Sequence, residues 1–127
     1  MNKILIDTSI LISHLNGHQA TTDFLRTLAH SDSPLPAISV IGEMELYALS
    51  QASPELISKI LATVEVVPLS SSIAQRAGVF KSNFPEMTTE HAIVAATAQE
   101  YGFTLVAMDL KAYKIIPGLI VFNIPNE

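Results

Sequence analysis

The sequence predicts an α/β domain of three layers, in which a short central parallel sheet of four to five strands is flanked by helices. Three observations lead there. Short apolar runs rich in β-branched or aromatic residues recur along the chain, at Ile4-Leu5-Ile6, at Val64–Val67 and at Phe103–Ala107. Between them lie longer segments with apolar residues at helical spacing, several opened by a Ser, Thr or Asp. Strands alternating with helices imply right-handed crossovers, hence parallel strands covered on both faces. The chain shows no internal repeat, low-complexity tract or linker, so one domain is expected over residues 1–127.

In order, Lys3–Ile6 reads as a buried strand. Asp7 or Thr8 can cap a helix to about Leu15, and Gly17 is a stop signal. A second helix over Thr21–Ala29 places Phe24, Leu25 and Leu28 on one face. Ser31–Pro36 is a Ser- and Pro-rich loop, and Ala37-Ile38 is a very short strand at most. Ser39 is a suitable N-cap for a helix from Val40 to about Leu49. Ser53-Pro54 opens the next helix, with proline at its first position and Leu56, Ile57, Ile60 and Leu61 at helical spacing. A strand over Val64–Val67 ends at Pro68, and a helix over Ser70–Lys81 is broken by Phe84-Pro85. Thr88 or Thr89 starts a helix rich in small residues through Tyr101, closed by Gly102. Phe103–Ala107 and Leu119–Phe122 complete the strands.

Composition narrows the chemistry. With 127 residues, of which 49% are hydrophobic and 15% charged, the chain has a globular composition that can bury a core. It has no cysteine, which excludes disulfides, thiolate metal sites and a catalytic thiol. Only three apolar residues follow Met1-Asn2-Lys3 before Asp7, too few for a signal sequence, and no run approaches the ~20 apolar residues of a membrane span. A soluble, cytoplasmic protein without membrane contact is expected. The net charge of −5 disfavours a general nucleic-acid binder. Carboxylates gathered around a metal count as negative in that sum, however, although the bound ion offsets them.

In a parallel sheet, ligands bind beyond the carboxyl ends of the strands. Asp7 directly follows the first strand, and Asp109 lies two residues past the strand ending at Ala107. Either could be a helix cap or turn residue. Together they would bring two acids to one sheet edge. Glu45 has Ile41 and Leu49 at its i−4 and i+4 positions, a setting that is buried unless it borders a cleft. Glu43, with Ser39 and Tyr47 at the same offsets, reads as a surface acid. Glu90 suits the first turn of its helix electrostatically, and His91 follows it. His14, His18 and His30 show no spacing that suggests a site and read as surface or helix-end residues. Converging carboxylates suit a hard divalent cation, Mg2+ or Mn2+, which polarises phosphodiesters and activates water.

The ordered motifs resemble the PIN domains, and most closely the VapC-type toxins of bacterial toxin–antitoxin pairs. Ile4-Leu5-Ile6-Asp7-Thr8-Ser9-Ile10-Leu11-Ile12 is similar to the first motif of that family. Ile38–Ile41 with Glu45-Leu46-Tyr47 resembles the second, and His91-Ala92-Ile93-Val94-Ala95-Ala96-Thr97-Ala98 the third. Gly102–Val106 with Asp109 resembles the fourth, and Ile116-Pro117-Gly118-Leu119 the ending. The similarity spans essentially the whole chain.

This resemblance implies a metal-dependent endoribonuclease with Asp7, Glu45 and Asp109 as catalytic acids. Asp7 and Asp109 would be the principal ligands to Mg2+ or Mn2+, with Glu45, Glu90 and His91 as further candidates and Thr8 and Ser9 orienting the first acid. It also implies an RNA substrate, an antitoxin partner and a homodimer. Two positions depart from the family. His91 stands where the third motif normally has Asp, and Ala107 where a hydroxyl residue is common. One residue is about 100° on a helix, so Glu90 needs adjustment to serve in place of that Asp, while an imidazole ligand would favour Mn2+. These departures motivate the alternative of a catalytically impaired PIN-like domain that binds protein or RNA. An aspartyl-phosphate enzyme is disfavoured by Ser9, where a second Asp is needed. A receiver domain is disfavoured by Leu69-Ser70 after the Val64–Pro68 segment.

Overall fold

The computed structural model of the chain describes residues 3–32 and 34–124. Among them are five strands, β1 (Ile4–Ile6), β2 (Ala37–Ser39), β3 (Glu65–Val67), β4 (Thr104–Ala107) and β5 (Val121–Asn123). Six helices accompany them, α1 (Thr8–Leu15), α2 (Gln19–Ala29), α3 (Val40–Tyr47), α4 (Pro54–Leu61), α5 (Ser71–Asn83) and α6 (Thr89–Tyr101). The strands form one sheet in the order β3-β2-β1-β4-β5, every pair parallel. The expected α/β class and strand number are therefore correct.

Alternation along the short strands divides the core into two layers. Leu5, Ala37, Leu105 and Ala107 face the side covered by α5 and α6, where Ile73, Phe80, Ala92 and Ala96 are buried. Ile6, Ile38 and Val106 face the other side, with Ile10, Leu11, Leu46 and Ile57 from α1, α3 and α4. Each fully buried Leu or Ile in these layers contributes roughly 1.5–3 kcal/mol of hydrophobic stabilisation. The small residues of α6 let it lie deep against the sheet: Ala92, Ala95, Ala96 and Ala98 are all wholly buried.

Every helix is capped at its N-terminus by a side-chain acceptor. Asp7, Ser39, Ser53, Ser70 and Thr88 cap α1, α3, α4, α5 and α6. Helix α2 begins two residues earlier than expected because the imidazole of His18 takes this role, its Nδ1 accepting from the Thr21 amide at 3.3 Å. His14 also has a structural partner, with Nδ1 2.8 Å from Thr22 Oγ1, and His30 is the C-cap of α2. Helix α3 ends at Tyr47, short of Leu49, and β5 lies slightly later than expected. Gly102 ends α6 in the left-handed region at φ 69°, as a C-terminal glycine should.

Strand β1 is central. From it the chain builds β2 and β3 on one side, then crosses to β4 and β5 on the other. The carboxyl ends of β1 and β4 therefore form the topological switch point, where open α/β sheets place their ligands. The Asp7 amide still belongs to this ladder, donating to the Val106 carbonyl at 2.9 Å.

Candidate active site

Asp7 leaves β1 at the switch point as the N-cap of α1, its Oδ1 receiving the Ser9 amide at 3.4 Å. Its Oδ2 accepts a shorter bond, 2.8 Å, from the Tyr113 hydroxyl. Glu45 reaches the same region from α3, half-buried, with side-chain hydrogen bonds to Glu90 and Thr8. Glu90 comes from the first turn of α6. Three carboxylates from α3, α6 and the end of β1 thus converge.

The electrostatic consequence falls on Glu45. Burial and the neighbouring Glu90 and Asp7 carboxylates push its carboxyl from the ordinary 4.5 up to about 7, only partly opposed by the Thr8 hydrogen bond. The hydroxyl of Tyr113 is likewise pushed up, by burial first and then by Asp7, Glu45 and Glu90, so it remains a proton donor. Folding stability responds with a definite sign. Below pH 4.5 Glu45 is protonated in both folded and unfolded chains. As pH rises towards about 7 the unfolded chain releases the proton while the folded chain still holds it, so rising pH favours unfolding across this window. In chelator, the melting temperature of wild type is expected to fall across this window relative to Glu45→Gln, which lacks the titrating group. Parallel curves for the two proteins would contradict this.

The predicted site residues are placed unequally. Asp7, Glu45 and Glu90 act on one another, as described. Asp109 lies at the same sheet edge but is exposed, and its Oδ1 accepts the Lys111 amide at 2.9 Å in a local turn. Among the described residues, the His91 ring does not join the carboxylates by a hydrogen bond. It stands edge-on to Tyr113, ring centroids 5.2 Å apart and planes at 76°. Thr8, expected to orient Asp7, bonds Glu45 instead. Ser9 contributes its amide to Asp7, while its hydroxyl accepts the Met108 amide at 3.4 Å and ties α1 to the end of β4. Glu43 is half-buried, less exposed than its flanking residues suggested.

Two further residues shape the site without a signal in the sequence. Tyr113 is fully buried, and a buried tyrosine hydroxyl requires a polar partner, but nothing in the sequence points to Asp7 as that partner. Gly42 permits α3 to approach α1: a Cβ there would lie 2.6 Å from Thr8 Oγ1.

The donor set consists of carboxylate oxygens, which suits a hard divalent cation, and burial first, then the neighbouring carboxylates, disfavour the charged form of Glu45, a cost that a bound cation would offset. Among the described residues, no three His, Asp or Glu side chains are already disposed to enclose an ion. The Glu45–Glu90 hydrogen bond would have to open for both to ligate. A cleft of about 710 Å³ lies elsewhere, between α1, α2 and α4, with Leu11, Leu25, Leu28 and Ile60 in its walls. No helix among the described residues is long and apolar enough to cross a membrane.

The family model described as PIN domain matches residues 4–116. Ribonuclease VapC10 of Mycobacterium tuberculosis, from strains CDC 1551 / Oshkosh and ATCC 25618 / H37Rv, is 41% identical over 76 residues, which are 59% of this chain and 56% of the relative. The chain thus spans little more than half the length of these curated relatives. A toxin–antitoxin complex from Klebsiella pneumoniae contains a similar chain, 28% identical, with TM-score 0.78 and coverage of 93% of this chain and 96% of that one. VapBC2 from Rickettsia felis, bound to a DNA fragment from its promoter, shares the fold at 24% identity, with TM-score 0.77 and coverage of 94% and 97%. With the family model covering β1 to β4, the six helices and the carboxylate cluster alike, this chain belongs to the PIN domain family.

Proposed function

We propose that this chain is a metal-dependent endoribonuclease that hydrolyses RNA phosphodiesters as the toxin of a toxin–antitoxin pair. The observation that carries the reading is the convergence of Asp7, Glu45 and Glu90 beyond the carboxyl ends of the central strands. Asp7, Glu45 and Glu90 would hold Mg2+ or Mn2+, with Asp109 at the rim. When bound, such an ion supplies Lewis acidity to a phosphodiester and lowers the pKa of water. Asp7 anchors the site because its backbone belongs to the central ladder. A bound cation would hold Glu45 as the carboxylate, which would then orient an attacking water as a hydrogen-bond acceptor. Thr8 orients Glu45, and Tyr113 and Ser9 hold Asp7.

The name of the Mycobacterium tuberculosis relatives supports the ribonuclease reading, and the Klebsiella pneumoniae complex supports an antitoxin partner. A homodimer acting in the cytoplasm completes the proposal. The exposed, turn-bonded Asp109 favours one second reading, a PIN domain that binds RNA or protein without cleaving it.

Incubation with single-stranded RNA separates the two. Cleavage that requires Mg2+ or Mn2+ and stops in chelator is expected, and RNA left intact under both metals would remove the enzyme reading. Within the same assay, Glu90→Gln is expected to weaken Mn2+ binding about tenfold or more, since a hydrogen bond or ligand contact to a charged group is worth at least ~1.4 kcal/mol. Unchanged Mn2+ affinity in that variant would assign the third position away from Glu90.

A further inference from the structure

The Asp7 carboxylate is gripped on both oxygens, and the grips are unequal. The Ser9 amide reaches Oδ1 at 3.4 Å, a long bond that mainly serves the helix cap. The Tyr113 hydroxyl reaches Oδ2 at 2.8 Å from a side chain that is 0% exposed. That hydroxyl arrives from a turn 106 residues further along the chain, so α1 capping does not account for it. The ring that carries it has little freedom. It is embedded in the α5/α6 side of the core with Ala107 and Ile116, and the His91 imidazole meets it edge-on. A phenylalanine would fill the same space and meet His91 in the same way. The hydroxyl is the one group at this position whose placement serves Asp7 and not the core.

We propose that Tyr113 is a positioning residue, whose hydroxyl holds the Asp7 carboxylate in a single orientation for cation binding, with His91 as the wall that steadies the Tyr113 ring. The proposal rests on the reading of the carboxylate cluster as a metal site. It gives His91 a role that needs no imidazole–metal bond. A carboxylate already oriented loses less freedom on ligation, and hydrogen-bond partners of metal ligands commonly contribute 10–100-fold in metal affinity or activity.

The test is the Mn2+ affinity of the full chain, measured by calorimetric titration for wild type and Tyr113→Phe. The melting temperatures of both in chelator serve as the reading of fold. Tyr113→Phe is expected to bind Mn2+ roughly 10-fold more weakly. Its metal-free melting temperature should fall by a few degrees at most, the scale of one hydrogen bond. In RNA cleavage at saturating Mn2+, kcat should fall while KM for RNA is retained. Tyr113→Phe binding Mn2+ within about twofold of wild type would overturn the proposal and leave the metal site standing. An affinity loss accompanied by collapse of the metal-free fold would assign Tyr113 a structural role and overturn it too. Wild type that binds no Mn2+ would overturn the metal reading itself and, with it, this one.

Discussion

Asp7→Asn is expected to lower metal-dependent RNA cleavage by about three orders of magnitude, the scale of several kcal/mol of transition-state stabilisation lost with an anchoring ligand. The same substitution should leave the fold intact. Asn caps helices as well as Asp does, so the start of α1 keeps its acceptor for the Ser9 amide. Removing the charge also relieves a little of the repulsion felt by Glu45, where Asp7 is the smallest of the contributions that raise its pKa. The metal-free melting temperature at neutral pH is therefore expected to match or slightly exceed that of wild type. This separation of activity from stability marks a residue retained for chemistry. Equal loss of both would mean that Asp7 is chiefly a cap. The readouts are the initial rate of RNA cleavage and the thermal melt in chelator.

Gly42→Ala tests the same site from α3. In a helix interior, Ala is ordinarily about 1 kcal/mol better than Gly. Here the added Cβ would sit 2.6 Å from Thr8 Oγ1 and 3.7 Å from Ile38 Cδ1. Thr8 is buried and β-branched, so its χ1 is stiff, and turning its hydroxyl away would break the hydrogen bond to Glu45. Overpacking of this kind costs roughly 1–3 kcal/mol, enough to exceed the propensity gain at most of that range. A net destabilisation of about 1 kcal/mol is expected for Ala by urea unfolding. Gly42→Val, whose propensity gain is smaller and whose side chain is larger, should lose about 3 kcal/mol. Gly78→Ala is the control. Gly78 lies on the exposed side of α5 with nothing within 4 Å of an added Cβ, so that variant should gain about 1 kcal/mol. If Gly42→Ala were stabilised as much as Gly78→Ala, the close approach of α1 and α3 would carry no weight. The Mn2+ affinity of Gly42→Ala should fall as well, because Glu45 loses the Thr8 hydroxyl.

Much of this arrangement is legible in the sequence because the physics behind it is local. The β-branched run at Ile4–Ile6, the Ser39, Ser53 and Ser70 caps and the Gly102 stop all act within a few residues of themselves. They also locate Asp7, which needs only the end of a strand and the start of a helix. The start of α2 is not legible because His18 caps it, and imidazole is outside the usual set of capping side chains. The choice between Glu90 and His91 depends on about 100° of helix rotation, which spacing alone leaves open. In the structure Glu90 faces Glu45 and His91 meets Tyr113, a division that follows from the start of α6 at its Thr88 cap. The Tyr113–Asp7 bond was invisible for a different reason. It closes a separation of 106 residues and depends on where β4 returns beside β1.

The central position of β1 also has a consequence in time. Its backbone is bonded to β2 on one side and β4 on the other, and the Asp7 amide continues that ladder to Val106. Amides here should exchange with solvent only when the whole domain opens, whereas the turn that carries Asp109 and Lys111 can exchange through local excursions. The Asp7 end of the carboxylate edge is thus expected to open with the slowest cooperative unit, and the Asp109 end with a faster one. Tyr113 joins the two units through one hydroxyl.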